Sequence, residues 1–424
     1  MAFSKIRSFF AAYAKKTAET VHSSEFLSSS KENPGDFTRS RKMPFPKLMQ
    51  FMLTRRKCST QNALESFFEK TGDDTFMTQQ AFSEARNKLK VHAFTCLFYM
   101  TVKTAYEGYY DTYKGYRVLA IDGSKIALPD IPLLGEIYGT MGPGSSSPTA
   151  QASICYDVLN KAVADALIAP LSEDERTLAL EHIKNLDKGV RFGKELAIMD
   201  RGYASYEMAG ELQKAGISFL MRVKRGFNKD IDAQAGPDGT AVLRKKGFPD
   251  IRVRIIKFTL PSGEPEILTT DLFQRNMKAK AFKRLYFMRW PVETKYDEVK
   301  NKLEIENFTG NSQKAVEQDF YATMYLSNIA AAAWWEAQAK VEDEREGKNN
   351  RYGYQVNVNH EIGVLKDRFI YALSLDDPDK AAKEVDKIIY LLARRVVPVK
   401  PGREGGRNKS PRSAKFHSNS RSNC

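Results

Sequence analysis

Cysteine is scarce: Cys58, Cys96, Cys155 and Cys424 are the only four in 424 residues, and no two form a C-x-x-C pair. That excludes a disulfide-stapled scaffold and offers no thiolate zinc site. The five histidines stand singly, so no imidazole cluster takes the place of the thiols. No apolar run approaches the roughly 20 residues that a membrane helix needs. The nearest, LSNIAAAAWW at 326–335, is short and alanine-rich, which suits a packed core helix. The opening MAFSKIRSFFAAYAKK lacks the uninterrupted apolar region and small-residue cleavage site of a secretory signal. These absences point to a reduced, cytoplasmic protein without a membrane partner.

Negative charge is also short. Lys and Arg total 66 against 52 Asp and Glu, a net charge of +14. Such an excess favours a polyanionic partner, nucleic acid ahead of an anionic membrane surface. At this length the chain can hold two or three domains.

Residues 1–110 read as a helical domain. STQNALESFFEKTG and TQQAFSEARNKLK form a helix–turn–helix pair with Phe82, Ala85 and Leu89 inward. Arg86, Lys88 and Lys90 are left as cations available to DNA. From 116 the texture changes to short β-branched runs: YRVLAIDGSKIALP, QASICYDVLN and KAVADALIAP. A helix from Ser172 or Glu173, the strand GKELAIMD, the helix SYEMAGELQKAG and the strand SFLMRVK follow. That order describes a mixed α/β sheet. The stretch 225–275 is β-rich and irregular, an insertion that delays the next helix. Helices resume at 276–343, and another is expected from Asp377 as cap, with Pro378 first, to about Val396. A catalytic domain over 111–345 is thus followed by a helical region at 346–396, a candidate for dimerisation. The segment 397–424, rich in Gly, Ser, Pro and Arg, reads as a disordered basic tail.

Two acids are singled out by their setting. Asp122 closes the apolar strand RVLAID, and Asp200 closes ELAIMD. The carboxyl ends of strands are where open α/β sheets place their chemistry, although Asp before Gly is also an ordinary turn residue. Asp157 in CYDVLN reads as a strand-end residue. A third acid, Glu293, lies in YFMRWPVETKYDEVK at 286–300. There Tyr286, Arg289, Glu293 and Lys300 are separated by three, four and seven residues. On one helix those offsets fall within roughly 60° of arc. Pro291 argues for two short helices instead. Three converging carboxylates repel one another and call for hard cations such as Mg2+ or Mn2+, two of which can serve phosphodiester chemistry. Arg289, Lys300 and Tyr286 suit the flanking phosphates.

The blocks AIDGS, MDRGY and Y-x-x-R-x-x-x-E-x-x-x-x-x-x-K, in that order, resemble bacterial insertion-sequence DDE transposases of the family named for insertion sequence four. TAQASICYDVLNKAVADALIAPLSEDE, FLMRVK and LEIENFTG extend the resemblance over about 40–340. It implies an RNase H-like mixed sheet with flanking helices, a β-rich insertion and an N-terminal helical, DNA-binding domain. It implies that Asp122, Asp200 and Glu293 bind two Mg2+ or Mn2+ ions and perform strand cleavage and strand transfer in cut-and-paste transposition. It implies that Tyr286, Arg289 and Lys300, with Trp290, Arg222 and Lys224 as weaker carry-overs, contact DNA. The partners implied are double-stranded DNA, as transposon terminal inverted repeats and as target, and a second copy in a synaptic homodimer. The setting is a bacterial, nucleoid-associated cytoplasmic protein. A base flipped during hairpin formation would need an aromatic partner, and the insertion offers Phe227, Phe248, Phe258 and Phe273. The alternative is a metal-dependent nuclease of the same fold that only hydrolyses.

Overall fold

The computed structural model describes residues 9–39, 42–54, 58–108, 110–141, 147–187, 191–260, 263–274, 276–375 and 377–400. They divide into two compact units, one drawn from 110–125 and 150–297, the other from 1–109, 126–149 and 298–400.

The first unit is built on an eight-stranded sheet. In chain order its strands are β1 (Tyr116–Ala127), β2 (Thr149–Asp157), β3 (Ala162–Pro170), β4 (Lys194–Met199), β5 (Ser218–Val223), β6 (Asp238–Leu243), β7 (Ile251–Thr259) and β8 (Pro265–Thr270). Their order across the sheet is β3-β2-β1-β4-β5-β8-β7-β6. β1, β4 and β5 run parallel, while β2 and β3 form an antiparallel pair. The sheet is therefore mixed, as the order of strands and helices in the sequence indicated. The 225–275 insertion contributes β6, β7 and β8, and β8 pairs antiparallel with β5, so the insertion extends the same sheet.

Two polar devices lock this sheet internally. Arg117 and Glu195 face each other in register on β1 and β4, fully buried and ion-paired. His182 bonds Asp165 at 2.7 Å through Nδ1 and Ser153 at 2.9 Å through Nε2. All three are sealed from solvent. A Ser–His–Asp chain without access has no substrate to attack, and it serves here to fasten a helix to β2 and β3.

The helices, in chain order, are α1 (Phe9–His22), α2 (Ser24–Ser30), α3 (Phe45–Met52), α4 (Thr60–Lys70), α5 (Gln79–Arg86), α6 (His92–Ala105), α7 (Pro132–Tyr138), α8 (Glu175–Asp187), α9 (Tyr206–Lys214), α10 (Lys229–Ala233), α11 (Ala279–Phe287), α12 (Pro291–Asp297), α13 (Gln313–Arg345), α14 (Val358–Leu373) and α15 (Pro378–Arg394). A π-helical turn, Glu298–Lys302, follows α12. α8 carries His182 and is the helix fastened above. The second unit is mainly helical. Its long α13 buries Leu326, Ile329 and Ala330 to Ala333, as expected of a core helix, and packs against α6. α15 starts at Pro378 with Asp377 accepting from the Asp379 and Lys380 amides, as the cap signals required.

Three expectations change. β1 does not stop at Asp122 but runs on to Ala127, because buried Ile126 continues the alternation past Gly123. The tail expected from 397 begins with a strand, β10 (Val396–Val399), paired with β9 (Gly353–Val356). The remainder of that tail, 401–424, lies outside the described residues. Arg86 is no surface cation. It is 2 % exposed and donates to Gln318 at 2.7 Å, Asp319 at 2.9 Å, the Ala315 carbonyl at 2.6 Å and Thr309. Removing one partner of such a buried pair leaves the other charge unsatisfied, at about 3–5 kcal/mol. Arg86→Ala is therefore expected to lower unfolding stability by that amount, read as a shift of the urea midpoint in the full chain.

Candidate active site

β4 ends at Met199, and Asp200 follows at once, at the carboxyl end of a central strand. Its Oδ1 accepts the Gly202 amide at 2.7 Å, closing a tight turn. A Cβ at position 202 would lie 3.0 Å from that oxygen and would press the carboxylate aside. Asp122 lies on β1 two residues beyond Ala120, the last residue in register with β4. The strand passes from full burial at Ile121 to partial burial over Asp122 to Ser124.

Glu293 comes from α12. Pro291 starts that helix after α11 has ended, so the 286–300 stretch is two short helices and a π-turn, as the proline indicated. α12 is latched to the sheet by Tyr296, whose hydroxyl reaches the Asp122 carbonyl at 2.8 Å and the Ala152 carbonyl at 3.2 Å. Three residues earlier, Glu293 accepts from Arg289 Nη2 at 2.8 Å. Arg289, 8 % exposed, also hydrogen-bonds the Tyr286 hydroxyl, and its Nε has no partner.

The electrostatics tie these residues together. Burial pushes the Asp122 carboxyl up to about 6; Asp200 and Glu293 push in the same direction, and Arg289 opposes them. Burial raises the Tyr286 hydroxyl, with Arg289 and Arg222 pulling it back. Asp122, Asp200, Glu293, Arg289 and Tyr286 thus share one neighbourhood. Among the described residues, no three acidic, histidine or cysteine side chains are drawn close enough to enclose an ion by themselves. The donor set consists of hard oxygens, and its negative charge is incompletely balanced by one guanidinium. That chemistry fits a divalent cation such as Mg2+ or Mn2+.

The other predicted residues are placed differently. Arg222, on β5, is ion-paired with Glu266 on β8. Lys224 and Trp290 are exposed, the latter at 54 %. Lys300 sits on the π-turn and belongs to the second unit. Of the four insertion phenylalanines, Phe248 and Phe273 are exposed, each beneath a cation, Lys245 and Arg252. Asp157 is buried and accepts from the Leu159 and Asn160 amides, the strand-end role expected of it. Sequence reasoning passed over Tyr296 and Tyr203, although both lie within or beside the motif blocks. A tyrosine in a helix or after a turn carries no spacing signal of its own.

Residues 113–329 match the family described as the Transposase DDE domain. The chain is 25 % identical over 212 residues to "Putative transposase y4zB" of Sinorhizobium fredii, covering 46 % of this chain and 55 % of that protein. It therefore spans about half the length of that curated relative. A cryo-EM structure of a piggyBac transposase synaptic complex with hairpin DNA aligns with a TM-score of 0.48 at 11 % identity, covering 94 % of this chain and 88 % of that one. Among the described residues no helix is long and apolar enough to cross a membrane.

The raised Asp122 carboxyl has a consequence for stability. An acid whose folded value exceeds its ordinary 3.8 makes ionisation costly to the fold, progressively from there to about 6 and fully above it. Asp122→Asn should then stabilise the metal-free protein at pH 8 by on the order of 3 kcal/mol, and the gain should vanish below pH 4. Thermal unfolding in chelator at the two pH values measures it.

Proposed function

The chain belongs to the transposase DDE domain family, and from that membership we propose that it is a metal-dependent enzyme of DNA transposition, cleaving at its element's terminal inverted repeats and joining those ends to target DNA. The observation that carries the reading is that Asp200, after a second strand, and Glu293, on a helix held by Arg289, both bear on the Asp122 carboxyl.

Asp122, Asp200 and Glu293 would hold two Mg2+ or Mn2+ ions, which supply Lewis-acid activation of the attacking oxygen and stabilisation of the leaving one. The residues themselves fix the geometry. Tyr296 holds α12 to the Asp122 backbone, Arg289 orients Glu293, and Tyr286 braces Arg289 in turn. In cleavage, a water oxygen bonds to phosphorus as the 3′-oxygen departs with a proton. In transfer, that 3′-hydroxyl attacks a target phosphodiester, so each P–O bond broken is replaced by one formed. Lys300, Trp290 and Lys224 are assigned to DNA, Lys300 as a phosphate contact. The 1–110 helical region grips DNA outside the catalytic domain, and 346–396 serves the homodimer of the synaptic complex. Arg289, buried and engaged with Glu293, is assigned to holding that carboxylate beside the phosphate it faces. Arg222, paired with Glu266, lends charge to the same neighbourhood.

Asp122→Asn, Asp200→Asn and Glu293→Gln are each expected to abolish cleavage of DNA carrying the element's ends while leaving gel-shift affinity intact. Wild-type cleavage by Glu293→Gln would remove the mechanism. Lys300→Ala should weaken end binding and lower the salt slope by about one. Arg289→Ala should reduce cleavage more than binding. Joining of a labelled 3′-hydroxyl end to plasmid separates a transposase from a nuclease of the same fold, since hydrolysis without joined product is the outcome for the latter.

A further inference from the structure

Glu175 opens α8 and ends the TAQASICYDVLNKAVADALIAPLSEDE stretch, where it was given no role. Its Oε1 accepts from the Gln151 side-chain amide at 3.3 Å, and Gln151 is itself buried on β2. A Cβ on Gly123 would lie 2.7 Å from Gln151 Nε2 and 2.9 Å from Glu175 Oε1. The Glu175 carboxylate therefore rests against the backbone immediately after Asp122, in space left by a missing side chain. Helix polarity alone is a weak reason for this placement. Asp174 already satisfies the Arg176 amide at 3.2 Å, and a dipole-serving acid needs no buried amide aimed at it.

A second observation comes from the turn after β4. Tyr203 is 1 % exposed and its hydroxyl has no hydrogen-bond partner. That hydroxyl lies within the electrostatic reach of Asp122, Glu175 and Asp200 together. Buried hydroxyls are ordinarily bonded. One that feels three carboxylates and bonds none of them is available to an oxygen that arrives with a ligand.

We propose that Glu175 is a fourth carboxylate of the cation site and that the Tyr203 hydroxyl donates to a phosphate or water oxygen held there. The inference rests on the reading of Asp122, Asp200 and Glu293 as the catalytic acids. Glu175 approaches from the β2–α8 side, across Gly123 from Asp122. Gln151 keeps the carboxylate oriented by donating to it, as partners beyond the ligands commonly do at metal sites.

Manganese binding to the full chain, followed by the electron paramagnetic resonance of free Mn2+, tests this apart from turnover. Glu175→Gln is expected to weaken Mn2+ binding about tenfold or more, Asp122→Asn to weaken it likewise, and the neighbouring Asp174→Asn to leave it unchanged. An unaltered isotherm for Glu175→Gln beside a weakened one for Asp122→Asn would overturn the fourth carboxylate and leave the triad standing. Unaltered binding in both, or none in the wild type, would remove the triad reading and this inference with it. Tyr203→Phe should slow single-turnover cleavage about tenfold at saturating Mn2+ with unfolding temperature maintained; an unchanged rate overturns the hydroxyl's part.

Discussion

A single phenol fixes the distance between the two halves of the candidate catalytic centre. Asp122 belongs to the sheet and Glu293 to a helix separated from it by 170 residues of chain. Tyr296, one turn beyond Glu293, hands its hydroxyl to the Asp122 main-chain carbonyl, and the same oxygen reaches Ala152 on the next strand. The contact is made to backbone, so it positions α12 without consuming either carboxylate. It is also buried, where the alternative of bonding to water is absent and an unmade bond is costly. A seven-residue helix has little stability of its own. Its place on the sheet must come from tertiary contacts such as this one.

The latch holds together groups that would otherwise separate. Asp122, Asp200 and Glu293 carry like charges, and partial burial deprives them of the water that would screen the repulsion. One guanidinium, Arg289, is shared between Glu293 and Tyr286 and offsets part of it. The result is a neighbourhood that is net negative, in which burial pushes the Asp122 carboxyl up, inside a chain with a large positive excess.

What could be read from the residues alone follows from how local each cause is. The Asp200 position is visible because a buried strand and a tight turn are both local patterns, and the break at Pro291 is visible for the same reason. Asp122-Gly123 misled as a strand end because a turn preference was outweighed by the burial of Ile126, which depends on the tertiary structure. Arg86 misled in a similar way. Its helix face is polar, and only the arrival of Gln318 and Asp319, more than 200 residues away in the chain, makes it interior. α7, between β1 and β2, announced itself only by Pro132 at its first turn and was passed over. Glu175, Gln151 and Tyr203 left no trace in spacing, since they come from a helix start, a strand and a turn.

The position of Gly123 shows how such a centre constrains sequence beyond its charged residues. Glycine inside a strand weakens it, because it adds backbone freedom and packs nothing. Here the strand tolerates that weakness, since Ile121 and Ile126 on either side are buried and hold β1 in place. What the missing side chain provides is room: the Gln151 amide and the Glu175 carboxylate occupy the volume that even a methyl group would claim. The familiar reading of Asp-Gly as a turn signal thus gives the right residue for a different reason. Backbone flexibility explains nothing at this position, whereas the close approach of two polar side chains to the main chain beside Asp122 does.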